Sequence, residues 1–461
     1  MTAQTHDLIV LGGGSGGYAC ALRAAELGKR VALVERDDRL GGTCLLRGCV
    51  PTKALLESAS VLDHVNRAAE WGISATGSPD WPRVLEFGEK VVDKKVKGLT
   101  SLVTARGIEV VPGEGRLVDG PGVVAGDRTL AAVDVVIATG SRPKLLPGMQ
   151  VGARIVTSDQ ALWMQTLPSS AVVIGAGAVG VEFASLLRSF GAEVTILEAL
   201  PRMVPLEDEE ISKQLDRAFR KRGIKAFTGV SVTAWKDEAD RAVISYQAPD
   251  GSPATVSADM CLVAVGRGPV TENLGLEEAG VQLDRGYVKV DGSLQTSTPH
   301  VWAVGDVAGT PLQFAHTAFL EGMNVAERVA GLDVPEIDYV GIPRVTFSTP
   351  EIASVGLTEA QARDRGHEVE IKSLNFQILA KAAILGEGGL CKVVATPGGG
   401  PVLGIHLIGP HATDLISEAM LVTNWEAGAS ELCNLIHPHP TLSEALGETF
   451  LALAGKPLHS P

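Results

Sequence analysis

The chain has 461 residues, 45% of them hydrophobic, and a formal net charge of −14. A chain of this length exceeds one ordinary hydrophobic core and predicts about three globular domains. The acidic balance disfavours nucleic acids and anionic membrane surfaces as partners, so the expected ligands are small molecules or proteins.

The cytoplasm is the expected location. The first residues run into a strand-like apolar stretch at 7–11, without the basic and apolar regions of a secretory signal. No stretch has the unbroken apolar length of a membrane-spanning helix. The six cysteines do not indicate a secreted disulfide scaffold in a chain of this size. Four of them lie in apolar stretches and are predicted to be core residues: Cys20, Cys261, Cys391 and Cys433.

The first predicted unit is a strand, a glycine-rich turn and a helix. An apolar strand leads into Gly12, Gly14 and Gly17 in the spacing GxGxxG, an alanine-rich helix follows, and a second strand ends in Glu35. Glycines let the backbone approach a pyrophosphate, the helix N-terminus favours its charge, and the acid can accept a hydrogen bond from a ribose hydroxyl. The complete unit predicts dinucleotide binding, which the glycine spacing alone would not.

Two cysteines five positions apart, Cys44 and Cys49, follow directly behind this unit, and Pro51 fits near a helix start. On a first helical turn their Cα atoms can approach the separation of a disulfide, and the helix N-terminus favours a thiolate. A pair that closes its own ring can take up and return two electrons by thiol–disulfide exchange. Alternatively, both residues are small buried hydrophobes, as free cysteines of intracellular proteins usually are.

The glycine spacing repeats at Gly175, Gly177 and Gly180, again between a strand and a helix, and the next strand ends in Glu198. In both copies the acid lies 23 residues after the first glycine. Two copies predict two dinucleotides. A chain that binds two dinucleotides beside a cysteine pair is most simply a flavoprotein that passes electrons among a nicotinamide, a flavin and a disulfide.

The rest of the pattern predicts alternating helices and strands, and its character changes at about Tyr339. The predicted elements are helices over 81–107, 208–223, 413–427 and 430–436, a strand over 108–116, and hairpin strands over 122–136.

Several motifs together resemble the flavin-dependent pyridine-nucleotide disulfide oxidoreductases. They are GGTCxxxGCxPxK at 41–53, the two glycine units, and HPHPTLSE at 437–444, and the similarity runs from Asp7 to Glu448. The resemblance implies an α/β fold with two Rossmann-like domains, for FAD and NAD, and a C-terminal α+β dimerisation domain. The implied limits are 1–147 for the first part of the FAD-binding domain, 148–268 for the NAD-binding domain, 269–338 for the second part of the FAD-binding domain, and 339–461 for the dimerisation domain.

The resemblance also implies the catalytic residues. Cys44 exchanges with the substrate and Cys49 is the flavin-side sulfur. His439 is the base, since an imidazole can take a proton near neutral pH, and Glu444 orients it. The active site of a homodimer is shared, with His439 of one subunit facing Cys44 of the other. His437 is expected to be an ordinary surface or core histidine.

The cofactor-binding residues include Lys53, which the resemblance places near the flavin and pairs with Glu182. Outside this family, Gly140 and Asp306 would each be ordinary turn residues. No residue is assigned to a metal. The full predicted set is Gly12, Gly14, Gly17, Glu35, Gly42, Thr43, Lys53, Gly115, Thr139, Gly140, Ser141, Asp306, Ala315, His316, Gly175, Gly177, Gly180, Glu182, Glu198, Val230 and Gly266.

Three features narrow the activity within the family. Glu198 would repel a 2′-phosphate, which argues for NAD over NADP. Residues 451–461 contain no second cysteine pair of the mercuric reductase kind, and Cys44, which soluble transhydrogenases lack, is present. The implied activity is oxidation of protein-bound dihydrolipoamide to lipoamide with NAD. Its implied partners are the lipoyl domains of 2-oxoacid dehydrogenase complexes or related lipoyl proteins.

Two alternatives stay open: a paralogue that reduces another disulfide or a quinone with NAD(P)H, and a flavin-binding scaffold without turnover. The chain departs from the family's pattern at 378–382 and at Leu46 and Arg47, between the two cysteines. Arg47 adds a positive charge that could shift the pKa of the thiolate or suit an acidic partner.

Overall fold

The computed structural model describes residues 6–118 and 122–459. Within this range the chain divides into two compact units. The first unit is discontinuous and consists of residues up to Leu55, Pro82–Lys144 and Gly266–Tyr339. The second consists of Leu56–Trp81, Leu145–Val265 and the chain from Val340 onwards. The limits predicted for the three domains remain predictions.

A five-stranded parallel sheet forms the centre of the first unit. All four residues of its middle strand, Leu8–Leu11, are buried. A strand covered on both faces needs no polar alternation, which accounts for the continuous apolar run. In spatial order the strands are Val301–Ala303, Asp134–Ile137, Leu8–Leu11, Val31–Glu35 and Glu109–Pro112.

Two helices of this unit, Ser15–Glu26 and Ala315–Val329, pack closely through glycines. A Cβ atom on Gly322 would lie 2.3 Å from the carbonyl oxygen of Gly16, so only glycine allows this approach. Two further helices run partly through the unit, Cys49–Asn66 and Trp81–Ala105. The smaller elements are the antiparallel sheet Gly115–Val118, Gly122–Ala125 and Arg128–Ala131, the strand pairs Ser141–Pro143 with Arg267–Pro269 and Leu283–Asp284 with Tyr287–Val288, and the 3₁₀ turn Gly305–Val307.

The single strand predicted over 108–116 is wrong. The chain turns at Gly113, which has a φ of 123°, and the next strand, Gly115–Val118, belongs to the antiparallel sheet. The hairpin prediction over 122–136 is correct only for its first two strands. Asp134–Ile137 joins the parallel sheet instead, because its four residues are buried between the flanking strands.

A second parallel sheet and a three-stranded antiparallel sheet lie in the second unit. Its parallel strands, in spatial order, are Lys225–Thr228, Glu193–Glu198, Ser170–Ile174, Met260–Val263 and Ile155–Val156. The antiparallel strands are Ser231–Asp237, Ala242–Gln247 and Pro253–Ala258. The helices along this part are Ser158–Ala161, Ala178–Ser189 and Glu209–Lys221.

The C-terminal part of the second unit is built on an antiparallel sheet. The aromatic rings of Phe376 and Phe450 are fully buried in its core. In spatial order the strands are Arg344–Thr346, Glu351–Gly356, Val402–Gly409, Leu390–Ala395 and Glu370–Asn375. The helices are Glu359–Asp364, Ala380–Leu385, Ala412–Asn424, Ala429–Leu432 and Glu444–Leu453, and 3₁₀ turns occur at Ala68–Trp71 and Phe376–Ile378.

This architecture confirms the predicted α/β fold with two Rossmann-like sheets and a C-terminal α+β sheet. The helix predicted over 430–436 is reduced to the single turn Ala429–Leu432. None of the helices in the described ranges combines the length and apolar character that crossing a bilayer requires.

The predicted burial of the four remaining cysteines is correct for three of them. Cys20, Cys261 and Cys391 are buried in their cores. Cys433 is partly exposed, because it directly follows the one-turn helix that ends at Leu432, so its prediction as a core residue is wrong.

Candidate active site

The two glycine loops have the same backbone geometry. Gly12 and Gly175 have φ angles of 104° and 99°, a region that side chains rarely allow. A Cβ atom on Gly17 would lie 1.8 Å from the oxygen of Gly12, and one on Gly180 would lie 2.0 Å from the oxygen of Gly175. Each loop is therefore a backbone surface that only glycine can form.

The acid after each loop is hydrogen-bonded back to the loop. Oε2 of Glu35 accepts a bond of 2.7 Å from the backbone N–H of Gly13. Oε2 of Glu198 accepts one of 2.5 Å from the backbone N–H of Ala176, at the same position of the second copy. Both acids are buried, so the 23-residue repeat in the sequence corresponds to a repeated three-dimensional contact.

The helices that follow the loops begin at the third residue of each motif. Gly14 and Gly177 are the N-caps, with extended backbones, and neither contributes a side-chain cap. The first N–H groups of both helices are thus available to an anionic ligand. In the first unit, a Cβ atom on Gly42 would lie 2.6 Å from the Cα atom of Gly14, so a second glycine segment closely adjoins the loop. This cradle of backbone N–H groups with an acid at its edge fits a dinucleotide.

The cysteine pair adjoins this cradle in sequence. Cys44 lies in a π-helical turn, Thr43–Arg47, and Cys49 is the first residue of the helix Cys49–Asn66. The expectation that both lie on one first helical turn is therefore wrong. Gly48 separates the two elements, and a Cβ atom on it would lie 2.8 Å from the carbonyl oxygen of Thr43.

The two cysteines are in the thiol form and share a hydrogen bond. This bond with Cys49 is the main cause of a raised pKa at Cys44, and burial of Cys44 raises it further. The hydroxyl group of Ser15 and the charge of Lys53 act in the opposite direction. A raised pKa favours the thiol form of Cys44 over its thiolate.

Arg47, between the two cysteines, forms a very short ion pair with Asp37. The backbone N–H of Asp37 in turn donates to Oε1 of Glu35 at 2.9 Å. The charge of Arg47 is thus balanced by the loop after the second strand rather than directed at the cysteine pair.

Four segments of the first unit meet at Arg267. Its Nε donates to Oγ of Ser141 at 2.7 Å, and its Nη2 donates to Oγ1 of Thr43 at 3.3 Å. The hydroxyl of Ser141 donates to Oδ2 of Asp306 at 2.5 Å. The structure therefore brings together three predicted cofactor-binding residues through Arg267, which is not in the predicted set.

Glu321 is a further residue that was not predicted as part of the site. It is fully buried, and its carboxylate accepts bonds from the backbone N–H of Gly305 at 2.6 Å and from the hydroxyl of Tyr339 at 2.9 Å. Burial raises the pKa of Glu321. These bonds fix the turn that carries Asp306.

The other predicted residues of the first unit occupy structural positions around these groups. Thr139 donates to the oxygen of Val270 at 2.7 Å, and Gly140, with a φ of 70°, accepts from the N–H of Val270 at 2.9 Å. Gly115 begins a strand, and a Cβ atom on it would lie 2.7 Å from the side chain of Leu11. Ala315 begins its helix, and the ring of His316 stacks on that of Phe314 with centroids 5.3 Å apart. The oxygen of Gly266 accepts a hydrogen bond of 2.9 Å from the N–H of Lys144.

Two predicted residues of the second unit contact neighbouring backbone. The N–H of Val230, a buried residue, donates to the oxygen of Glu198 at 3.0 Å. Oε1 of Glu182 accepts from the N–H of Phe347 at 2.8 Å. Lys53 belongs to the first unit, and its pairing with Glu182 remains a prediction.

The predicted base and its acid are paired in the second unit. Nδ1 of His439 lies 2.8 Å from Oε1 of Glu444, and Oε2 of Glu444 accepts from the N–H of Thr441 at 2.8 Å. Burial acts to raise the pKa of Glu444, but hydrogen bonds from Thr441 and His439 outweigh it and lower the pKa. The side chain of His439 is 68% exposed, so Nε2 is the nitrogen that can take a proton from outside.

Comparison with known proteins agrees with this geometry. Residues 6–322 match the pyridine nucleotide-disulphide oxidoreductase family, and residues 342–450 match the dimerisation domain of the same family. Proteins named dihydrolipoyl dehydrogenase from Bacillus subtilis and Rhizobium etli are 43% and 39% identical, over 99% of this chain and 100% of each relative. A third, from Mycobacterium leprae, is 39% identical over 98% of this chain and 99% of the relative.

Solved structures show the same fold over nearly the whole chain. LpdA from Mycobacterium tuberculosis superimposes with a TM-score of 0.89 at 26% identity, covering 97% of this chain and 99% of the other. The HOCl-induced flavoprotein disulfide reductase RclA from Escherichia coli, in its Cu(II) complex, gives 0.87 at 26% identity with the same coverage. Family, relatives and geometry agree: this chain belongs to the pyridine nucleotide-disulphide oxidoreductase family.

Proposed function

We propose that this chain is an enzyme that oxidises protein-bound dihydrolipoamide to lipoamide with NAD, the reaction for which its full-length relatives are named. The observation that carries the proposal is the hydrogen-bonded thiol pair, Cys44 and Cys49, directly behind a dinucleotide loop. Such a pair can exchange two electrons with an external dithiol.

FAD and NAD are the proposed cofactors. The first glycine loop, Glu35 and the cluster of Ser141 and Asp306 would hold FAD, and the second loop with Glu198 would hold NAD. When bound, FAD takes the two electrons of the cysteine pair and delivers them to NAD as a hydride.

The side chains of this chain perform the thiol chemistry. Nε2 of His439 accepts a proton from the first substrate thiol, while Glu444 holds the imidazole and stabilises its charged form. The resulting thiolate attacks the sulfur of Cys44 in the oxidised pair, and Cys49 leaves as a thiolate. The second substrate thiol then attacks the substrate sulfur of the mixed disulfide and closes the lipoamide ring, and its proton passes to Cys44, which leaves as a thiol. Two electrons pass from the substrate to the cysteine pair.

A homodimer is the proposed working form. Residues 342–450 match a dimerisation domain, and the base His439 is largely exposed within its own chain. Both facts suit a base that serves Cys44 of a second copy. Lipoyl domains of 2-oxoacid dehydrogenase complexes, or related lipoyl proteins, are the proposed partners. The proposed domains keep the limits given above.

Steady-state kinetics test the activity. With dihydrolipoamide and NAD we expect a kcat/KM of at least about 10⁴ M⁻¹s⁻¹. The same preparation is assayed with NADH against glutathione disulfide, mycothiol disulfide and quinones. A much higher kcat/KM with one of these would replace the proposed substrate, an outcome that the similarity to the reductase RclA makes the leading alternative.

A further inference from the structure

The segment that carries the base is exposed at every position but one. Residues 433–443 connect the helix Ala429–Leu432 to the helix Glu444–Leu453. Within 434–440, the part that carries the base, all residues are exposed except His437, and the next buried residue is Leu442. The neighbouring Ile436 is 96% exposed, whereas the side chain of His437 is only 11% exposed.

His437 is held between two helices. Its Nε2 lies 2.7 Å from Oε1 of Glu418, on the helix Ala412–Asn424. The opposite edge of the ring lies against Gly447, on the helix Glu444–Leu453, where a Cβ atom would come within 2.4 Å of Nδ1. A single imidazole thus connects both helices to the segment that carries His439.

From this geometry we infer that His437 is a positioning residue, which together with Glu418 fixes the segment of His439 and sets the charge beside the dyad. The inference rests on the proposed function, in which His439 takes the proton of a thiol. No other side chain of 434–440 is withdrawn from solvent, so His437 is the anchor of this segment.

The charges around His437 determine its protonation. The hydrogen bond with Glu418 raises the pKa of His437, burial opposes this, and the charges of Glu418 and Glu444 raise it further. Protonated His437 forms an ion pair with Glu418 that adds no net charge near the dyad, and the two side chains are 11% and 33% exposed. The other titratable groups on these two helices are the exposed Asp414, Glu444, which pairs with His439, and Glu448, which pairs with His459. Cys391 lies near Glu418.

Two variants separate the anchor from the charge. His437→Gln removes the anchor and leaves Glu418 as an unbalanced negative charge, whereas His437→Gln with Glu418→Gln removes the anchor but leaves no net charge. We expect kcat/KM for dihydrolipoamide to fall about tenfold to a hundredfold in both, as for other misplaced catalytic groups. In the single variant the acid limb of the pH profile moves to higher pH, by about half a unit or more, because a negative charge favours protonated His439. In the double variant this limb returns to its parental position.

The control is His459→Gln. It removes a histidine–glutamate pair of similar length, 2.8 Å, whose glutamate lies on the helix Glu444–Leu453, but the side chain of His459 is 60% exposed. Its kcat/KM should stay within about twofold of the parent, as expected for an exposed pair.

A second readout does not depend on the substrate. Diethyl pyrocarbonate modifies neutral imidazole, so the rate of modification of His439, followed by peptide mass analysis from about pH 5 to 8, reports its pKa directly.

The holoenzyme is used in all of these experiments. Oxidation of NADH by ferricyanide needs no thiol base and should be unchanged in all variants. If the parent fails with dihydrolipoamide, the proposed function fails, and the modification profile still decides the role of His437. Parental turnover and an unshifted profile in both variants would reduce His437 to an ordinary core histidine.

Discussion

Oε2 of Glu198 accepts a hydrogen bond of 2.5 Å from the backbone N–H of Ala176, inside the second glycine loop. The other carboxylate oxygen accepts one of 2.7 Å from the N–H of Leu200. The carboxylate is buried, so its negative charge is fixed at the end of the strand Glu193–Glu198, beside the loop. We expect this position to decide which nicotinamide cofactor is accepted.

We predict that the enzyme prefers NAD over NADP by at least about tenfold in kcat/KM. The carboxylate repels a 2′-phosphate, and the hydrogen bond of a ribose hydroxyl to a charged acceptor alone contributes about 1.5 to 3 kcal/mol. Glu198→Gln should reduce this ratio, while Glu35→Gln, at the equivalent position of the first loop, should lower FAD content and leave the ratio unchanged. Comparable kcat/KM values for both nucleotides in the parent would contradict the prediction.

The two cysteines are predicted to differ in their absorbance signatures. A Cys49 thiolate beside the flavin gives a long-wavelength band in the reduced enzyme. Cys44→Ser should keep this band and Cys49→Ser should abolish it, because Cys49 is the proposed flavin-side sulfur and the raised pKa of Cys44 favours its thiol form. Cys433→Ser, at a partly exposed cysteine outside the pair, is the control and should keep both band and activity. The reverse pattern for the two redox cysteines would exchange their roles.

Active-site sharing predicts complementation between inactive chains. Cys44→Ser and His439→Ala should each reduce dihydrolipoamide oxidation to a small residual rate. A mixed dimer of the two chains contains one intact site out of two, and random exchange of equal amounts makes about half of the dimers mixed, so about a quarter of the parental activity per site should return. If mass spectrometry demonstrates subunit exchange but no activity returns, Cys44 and His439 act within the same chain.

Lys392 is predicted to stabilise the second unit through a buried ion pair. Its Nζ lies 2.9 Å from Oδ1 of Asp208 and 2.9 Å from Oε2 of Glu359, and its side chain is only 6% exposed. Lys392→Met leaves Asp208 buried without its partner and should lower the free energy of unfolding by about 3 to 5 kcal/mol, measured in urea. The double change Lys392→Met with Asp208→Asn keeps the helix cap at Asp208 and should recover most of the loss. If the double variant does not recover stability, the lost free energy of unfolding comes from the packing of the aliphatic part of Lys392 and not from its ion pair.

The same pair predicts a dependence of stability on acid. Burial acts to raise the pKa of Asp208, but the hydrogen bond from Lys392 and nearby positive charges outweigh it and lower the pKa. A carboxyl group with a lowered pKa stabilises the fold above its unfolded value, about 3.9, and this contribution is lost as the pH falls through the folded value. In Lys392→Met the pKa of Asp208 rises, so acid unfolding followed by circular dichroism should begin at higher pH than in the parent. An unchanged acid transition would show that another group controls it.

The sequence predicted the parts of the site whose residues lie close together along the chain. The two glycine loops, and the pair of His439 with Glu444, depend on short spacings within one segment. Arg267 was not predicted as a site residue, because its contact with Thr43 spans 224 positions and depends on the topology of the whole first unit. The π-helical turn at Cys44 was missed for a different reason: it requires a close backbone approach at Gly48 that residue spacing does not reveal.

The discontinuity of the first unit has a consequence for protein synthesis. Its parallel sheet is completed by Val301–Ala303, which pairs with Asp134–Ile137, and its glycine-packed helix Ala315–Val329 follows later still. The second parallel sheet needs no residue beyond Met260–Val263. Domains commonly fold in the order in which they leave the ribosome. Here the unit that starts to emerge first is the later of the two whose sheet can close. We therefore expect the proposed FAD to bind only after the chain has passed the helix Ala315–Val329.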